Sequence, residues 1–329
     1  MTRVEPIPYS EPLPRPVIEP GKIGQYALLL VGVFACATSV LMLKASTSPP
    51  MVVAGMRLLI AAVVLSPAMI VQMTWPVFVH RSTKYAEIPS LRQLARSIPG
   101  AAFLAVHFIT WAMGARMTNA ANASLIVNLN PIALPVLMWL INRERVNRGE
   151  VIGTSVAMIG VLALMGQGYH LRDGSLAGDL MCFGSMLLFC LYICFGRYAG
   201  RGQKLWVYLV PMYAIAGVIC LSAAVVSGVG VPRPDFHELL RWIGLALIPT
   251  VIGHSIFNHS IKHLRGQTIS TINLSQFVFA GVLAYFIFGE VPPAKLYAVA
   301  AVIAAGVLIV IRSSHAANKV PTAILEPAE

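Results

Sequence analysis

The chain has 329 residues, of which 57% are hydrophobic and 11% are charged, and its formal net charge is +11 at neutral pH. A soluble domain carries about 25% charged residues. A chain this poor in charge cannot coat a water-facing surface, so we exclude a soluble globular protein. The positive charge would suggest nucleic-acid binding in a soluble protein. Here it is better explained by the placement of lysine and arginine about a membrane, and we expect no nucleic-acid partner.

Ten apolar segments follow one another along the chain, each close to the roughly 20 residues that cross the hydrocarbon core of a bilayer. They cover residues 23–43, 50–72, 97–115, 119–141, 149–167, 177–197, 205–228, 240–261, 267–288 and 294–312. Small residues such as Gly153, Ala157 and Gly160 recur at intervals that let helices approach closely. The sequence therefore predicts an all-α integral membrane protein with ten transmembrane helices.

The lysines and arginines between these segments indicate the orientation. With a cytoplasmic N-terminus, 17 of the 24 fall on the inner side, six fall on the outer side, and Arg57 lies inside a segment. Because positive loops stay in the cytoplasm, we expect both termini there, in the plasma membrane or bacterial inner membrane. The first 21 residues hold six prolines and no long apolar run, so residues 1–22 are predicted to be a disordered cytoplasmic tail. Residues 313–329 are predicted to be a second tail.

Two stretches of the chain repeat each other. SLIVNLNPIALPVLMWLINRERV (124–146) and STINLSQFVFAGVLAYFIFGEVP (270–292) lie 146 positions apart and share six of 23 residues, including Glu144 and Glu290. The first segments of the two halves match loosely at a shift of 153. We interpret residues 23–168 and 176–312 as two five-helix repeats. Because five is odd, the second repeat is inverted, which is typical of secondary transporters.

The residues of the second segment and of the repeated stretch resemble a known family. SPPMVVAGMRLLIAAVVLSP carries Arg57, and NAANASLIVNLNPIALPVLMWLINRERVNRGEVIGTSVAMIGVLAL carries a proline and a terminal glutamate. Over about residues 24–312 the chain resembles the drug/metabolite transporter superfamily, in its EamA family. The resemblance implies a ten-helix exporter or permease for small organic solutes, with a central cavity between the halves. The chain departs from the usual first helix, where Cys36-Ala37 replaces an aromatic-glycine pair.

Polar side chains concentrate in the third, fourth, eighth and ninth segments. Because polar groups in a bilayer are costly, they are candidates for a functional site. The candidate substrate-binding residues are His107, Trp111, Asn128, Asn130, His254, Asn258 and Gln276. At the 146-residue shift Asn130 pairs with Gln276 and Trp111 with Phe257. Hydrogen bonds between helices are the alternative role for each amide.

Three charges are candidates for gating or structural support: Arg57, Glu144 and Glu290. Arg57 is expected to reach Glu290 or helix-end carbonyls, or else an anionic group of the substrate. Glu144 is expected to pair with Arg143, Arg145, Arg148 or a facing loop, or to be solvated. No acidic residue falls in the middle of a predicted helix. This favours facilitated diffusion or exchange, with histidine-mediated proton coupling as the alternative.

The leading hypothesis is therefore a transporter of small metabolites such as amino acids, working by alternating access. A scaffold or sensor without transport is the second hypothesis. A membrane-embedded enzyme is the third, and we do not favour it because no catalytic or metal-ligand spacing is present. We expect no cofactor and no metal. The expected partners are a small-molecule substrate and the bilayer, and a homodimer stays open.

Overall fold

The computed structural model describes residues 20–80, 89–118, 120–165, 176–200, 203–288 and 294–317. Over these ranges the chain forms α-helices and one π-helical segment, with no strand. The helices are α1 (Pro20–Ala37), α2 (Ser39–Ala45), α3 (Pro50–His80), α4 (Leu91–Ala95), α5 (Ser97–Met117), α6 (Ala120–Val127), α7 (Asn130–Asn142), α8 (Arg148–Met165), α9 (Leu176–Ala199), α10 (Leu205–Val226), α11 (Phe236–Leu245), the π segment (Ala246–His254), α12 (Ser255–His263), α13 (Gly266–Asn273), α14 (Gln276–Phe288) and α15 (Ala294–Ala317). The fold is all-helical, as the composition predicts. Most of both predicted tails lies outside the described residues.

Eight segments of the described chain are long and apolar enough to cross a membrane. They are Lys22–Ala45, Pro50–Trp75, Leu91–Met117, Ala123–Asn142, Leu176–Ala199, Leu205–Val226, Phe236–His263 and Tyr297–Ser314. The two remaining predicted segments are also helical. Residues 149–167 fall largely in α8, and residues 267–288 are divided between α13 and α14.

Two helical segments are broken at equivalent points of the repeat. α6 ends at Val127 and α7 begins at Asn130, while α13 ends at Asn273 and α14 begins at Gln276. Val127 and Asn273 are 146 residues apart, and so are Asn130 and Gln276. This distance is the shift of the sequence repeat. Pro131 lies in the first turn of α7, where its missing N–H interrupts no helical hydrogen bond. The break at α13 has no proline, so the position of the break follows the repeat and not one residue type.

The segment formed by α11, the π segment and α12 contains the repeat equivalent of α5. This segment is irregular, whereas α5 is a regular α-helix. Pro249 lies inside the π segment, and the Thr250 hydroxyl donates to the Leu245 carbonyl at 2.8 Å. Proline removes a backbone donor, and π-helical turns occur frequently at functional sites. This irregular turn places Pro249 and His254 toward the centre of the bundle.

The halves pack with the pattern of a two-fold arrangement. α3 packs against α10, and α8 packs against α15. The two helices of each pair are repeat equivalents of one another, so exchanging the halves leaves each pair unchanged. α5 packs against α9 in the same way that the π segment and α12 pack against α1. The α3–α10 contact is reciprocal: a Cβ on Gly55 would lie 3.1 Å from the Gly217 carbonyl oxygen, and a Cβ on Gly217 would lie 3.1 Å from that of Gly55. Larger residues at either position would separate the helices.

Candidate functional site: a central cavity between the halves

A cavity lies at the centre of the bundle and is lined from both halves. It holds about 60 Å³ of space for the centres of water molecules, which is room for a few waters. Its walls are formed by Cys36, Ser39, His107, Phe108, Trp111, Val127, Phe189, Pro249, His254, Phe257, Asn273 and Gln276. The residues come from α1, α2, α5, α6, α9, the π segment, α12, α13 and α14. In this conformation the cavity admits a small solute only.

Both broken helices meet at the cavity. Val127 and Asn273, which end α6 and α13, line it together with Gln276, which begins α14. The amide of Asn273 donates to Oδ1 of Asn128 at 3.0 Å, so the breaks are joined by a hydrogen bond. Interrupted helices leave backbone groups without helical partners, and membrane proteins tolerate this where the backbone is buried in protein or lines a cavity.

Aromatic rings form much of the wall. Phe108 and His254 are 146 residues apart, and their ring centroids lie 5.1 Å apart. Two repeat-related side chains that touch must lie near the axis between the halves. Trp111 and Phe257, also repeat-related, line the same cavity. The wall therefore offers flat apolar surfaces, as the pairing of Trp111 with Phe257 predicts.

His107 is buried in the contact between α5 and α9. Its Nδ1 lies 2.9 Å from the Ser185 carbonyl oxygen and 2.8 Å from the Ser185 hydroxyl, which also donates to the His107 carbonyl at 3.0 Å. A carbonyl accepts only, so this geometry assigns the proton to Nδ1. The imidazole is thus held in one orientation while it lines the cavity.

Arg57 lies just behind the cavity wall and is 1% exposed. Its Nε donates to the Thr250 hydroxyl at 2.9 Å and its Nη1 to the Ser39 hydroxyl at 3.1 Å. The guanidinium carbon lies 4.2 Å from the centroid of the Phe108 ring, a cation–π contact. Nη2 has no hydrogen-bond partner in the part of the chain that the structure describes. The observed partners are therefore hydroxyls and a ring, in place of the expected helix-end carbonyls, and Glu290 lies outside the described residues.

Glu144 joins the two halves at one end of the bundle. Its Oε2 forms an ion pair with Arg197 at 2.8 Å, and its Oε1 accepts from the backbone N–H of Gly266 at 2.9 Å. Arg265 lies 4.0 Å from Glu144 and 2.5 Å from Glu150, a buried carboxylate that also accepts from the Ser314 hydroxyl. Among the described contacts of Glu144, none is with Arg143, Arg145 or Arg148, and the Arg265–Gly266 loop corresponds to the facing loop that was the other expectation. The basic partners come from the other half, Arg265 from the loop that precedes α13.

Four of the seven proposed substrate-binding residues line the cavity: His107, Trp111, His254 and Gln276. Three do not. Asn128 bonds Asn273 and the Ser124 carbonyl. Asn258 donates to the Tyr192 hydroxyl and the His254 carbonyl. Asn130 is 1% exposed at the start of α7, and its Oδ1 has no hydrogen-bond partner.

The repeat contains a signal for residues that the polar pattern missed. Phe108 is the 146-residue equivalent of His254, and Phe189 is the 153-residue equivalent of Cys36. All four line the cavity. Selecting repeat-related partners of each candidate, whatever their polarity, would have found Phe108.

One family model matches the chain twice. The model of the EamA-like transporter family matches residues 22–166 and again residues 176–312. The chain belongs to the EamA-like transporter family. The resemblance noted in the sequence is thereby confirmed.

Curated relatives in other organisms are also named as transporters. The uncharacterized transporter YyaM of Bacillus subtilis is 25% identical over 166 residues, which cover 48% of this chain and 53% of YyaM. An uncharacterized transporter of Methanothermobacter thermautotrophicus is 20% identical over 53% of this chain and 51% of its own length. One of Archaeoglobus fulgidus is 24% identical over 58% of this chain and 67% of its own length. The chain thus matches about half the length of the first two.

A solved crystal structure has the same fold. It superposes with a TM-score of 0.72 over 89% of this chain and 99% of its own, at 15% sequence identity. At that identity the likeness supports the fold alone.

Proposed function

We propose that this EamA-family protein is a secondary transporter, an exporter or facilitator of small organic solutes such as amino acids, that works by alternating access. The observation that carries the proposal is the central cavity, which is lined by repeat-related residues of both halves and meets both broken helices. A binding site between two repeats is the arrangement from which alternating access follows, because rocking one repeat against the other exposes the site to each side in turn.

The proposed topology has ten transmembrane helices in two inverted repeats. The eight candidate spans supply eight of them, and α8 and the broken pair α13–α14 supply the others. The lysine and arginine distribution supports cytoplasmic termini in the plasma membrane or bacterial inner membrane. In this topology Glu144 lies at the cytoplasmic face.

We further propose that the ion pairs of Glu144 hold the cytoplasmic side closed in this conformation. Glu144 with Arg197, and Glu150 with Arg265, join segments from different halves. Opening that side requires these pairs to separate, and water entering the gap solvates the released charges. The broken helices α6–α7 and α13–α14 are natural hinges, because backbone N–H groups between them, such as those of Leu129 and Ser275, donate to the carbonyl three residues back and not four.

Transport by the purified protein in liposomes tests this function. We expect uptake of one or more members of a panel of amino acids and amphiphilic metabolites, without a pH gradient, because no acidic side chain lines the cavity among the described residues. Uptake that requires a proton gradient would instead assign coupling to His107 and His254.

A matched pair of variants connects uptake to the cavity. Gln276→Leu removes an amide from the wall, whereas Asn130→Leu removes its repeat-related equivalent, which is buried away from the cavity. Gln276→Leu is expected to lower the initial uptake rate about tenfold or more, since a hydrogen-bonding group for the solute is lost from the cavity wall. Asn130→Leu is expected to change the rate less. Equal rates in wild type and Gln276→Leu would contradict the proposed pathway.

A further inference from the structure

A buried arginine beside the central cavity has no acidic partner among the residues that the structure describes. Arg57 is 1% exposed, and its hydrogen bonds go to two neutral hydroxyls, those of Thr250 and Ser39. Nη2 is buried and has no hydrogen-bond partner within the described ranges. A buried cation is costly unless an opposite charge accompanies it. The resting structure therefore contains a positive charge that the described part of the protein leaves unbalanced.

The guanidinium is separated from the cavity by a single layer of side chains. Two of its direct contacts, Ser39 and Phe108, are themselves cavity-lining residues. A third contact, Thr250, follows the lining residue Pro249. The low dielectric of the surrounding helices strengthens the attraction of this guanidinium for an anion in the cavity.

The cavity wall contains no group that balances a second, positive charge on a solute. Its described residues are aromatic, aliphatic, hydroxyl, thiol, amide and imidazole side chains, without aspartate or glutamate. Phe108, Trp111, Phe189 and Phe257 present ring surfaces to a flat apolar body. Rings of this kind also attract cations, but Arg57 already occupies the face of Phe108 at 4.2 Å and repels a second cation there.

We infer that the cavity binds small monoanions that combine one carboxylate with a flat apolar body, and that Arg57 supplies the positive charge for the carboxylate. The inference deepens the proposed transport function and rests on it. It narrows the substrate class, because an amino acid brings an ammonium group for which the described wall offers no carboxylate. Aromatic monocarboxylates therefore bind more tightly than amino acids of similar size.

Binding to the purified protein in detergent is the direct test, because aromatic acids cross bilayers unaided in their neutral form. The probes are benzoate, benzamide, benzylamine and phenylalanine, which carry one ring with a negative, neutral, positive or zwitterionic group. Affinity is measured by the rise in melting temperature with ligand concentration, with tryptophan fluorescence as a second readout because Trp111 lines the cavity. We expect benzoate to bind roughly 30-fold or more tightly than the other three, because benzamide and benzylamine lack the carboxylate and phenylalanine brings an ammonium group that the described wall does not pair.

Variants at Arg57 distinguish the effect of its positive charge on ligand preference from the effect of its side-chain shape. Arg57→Lys keeps the charge and should keep the preference for benzoate over benzamide. Arg57→Gln should remove that preference. Thr250→Val is the matched control, since it removes one hydrogen bond to Arg57 from a residue outside the described cavity wall and leaves the charge in place. Its preference for benzoate should persist.

The result that overturns the inference does not depend on the folding of a variant. Wild-type protein that binds benzamide, benzylamine or phenylalanine as tightly as benzoate contradicts it, and so does wild-type protein that binds no benzoate at millimolar concentration. Either result leaves the liposome measurement free to support transport of another solute class. Loss of uptake for every solute, with benzoate binding intact, would instead contradict the transport function alone.

Discussion

Two helix crossings at the centre of the molecule occupy equivalent places in the repeat but differ in chemistry. At one, α5 crosses α9, and His107 shares three hydrogen-bond contacts with Ser185. At the other, the π segment crosses α1, and the residues equivalent to His107 and Ser185 at shifts of 146 and 153 are Gly253 and Gly32. A Cβ on Gly253 would lie 3.3 Å from the Gly32 carbonyl oxygen. The first crossing is held by polar side chains and the second by close backbone packing.

This difference shows that the two halves have the same helix arrangement but hold equivalent helix crossings together by different interactions. If the two crossings had the same interactions, the conformation open to one side of the membrane and the conformation open to the other side would be nearly equal in free energy. Here one crossing is fixed by hydrogen bonds and the other is a close glycine contact next to Pro249 in an irregular turn. We expect the α5–α9 crossing to be the more rigid one, and the crossing of α1 with the π segment to change shape more easily.

The largest expected effect comes from filling the glycine crossing. A Cβ on Gly253 would lie 2.5 Å from the Cys36 sulfur, and the extra methyl groups of Gly253→Val would meet the α1 backbone. We expect a loss of stability of about 3 kcal/mol or more, measured by thermal unfolding in detergent. Gly184→Ala is the control, because its added Cβ meets nothing within 4 Å. A Gly253→Val protein as stable as wild type would show that the close approach of the two helices is not required.

A smaller effect is expected at the polar crossing. Ser185→Gly removes both side-chain hydrogen bonds to His107 and gives this crossing the residue found at Gly32. Hydrogen bonds between membrane helices contribute about 1 kcal/mol, so the melting temperature should fall modestly while the fold persists. Hydrogen exchange of α5 backbone amides should also rise. If exchange in α5 is unchanged, the hydrogen bonds do not account for the rigidity assigned to this crossing.

The smallest effect is expected at a pair of equivalent positions where both halves already have an aromatic residue. Trp111 and Phe257 are repeat-related aromatic residues that both line the cavity. Trp111→Phe makes the two positions identical and keeps a ring at each, so ligand affinity should change less than about threefold. Trp111→Ala serves as the contrast and should weaken binding more. Equal affinities for the phenylalanine and alanine variants would exclude ring contact at this position.

Much of the fold follows from patterns that the sequence contains. Apolar segments of membrane-spanning length predict the helices, and the 146-residue shift places the breaks after Val127 and Asn273 at equivalent positions. The irregular turn at Ala246–His254 does not follow in this way. A proline within a helical segment can produce a kink, a π turn or a helix end, and the surrounding packing decides among these outcomes.

The site was harder to predict because the polarity of a residue does not reveal which way its side chain points. Asn258 and Gln276 are both amides within apolar segments, yet Asn258 points at Tyr192 and only Gln276 lines the cavity. Phe108 and Cys36 line the cavity although composition alone makes them ordinary core residues. Glu144 has three arginines nearby in sequence, but its partner Arg197 is 53 positions away. Long-range packing, which the local sequence does not encode, selects these contacts.

Accessibility of Cys36 tests the central claim most directly. Cys36 lines the cavity, whereas Cys182, Cys190, Cys194 and Cys220 are fully buried, so a variant with these four changed to alanine reports on the cavity alone. The measurement is labelling of Cys36 by a membrane-impermeant thiol reagent added separately to each side of oriented vesicles. Alternating access through this cavity predicts labelling from both sides, slowed by a transported solute. Labelling from neither side, or from one side only under every condition, would contradict the account.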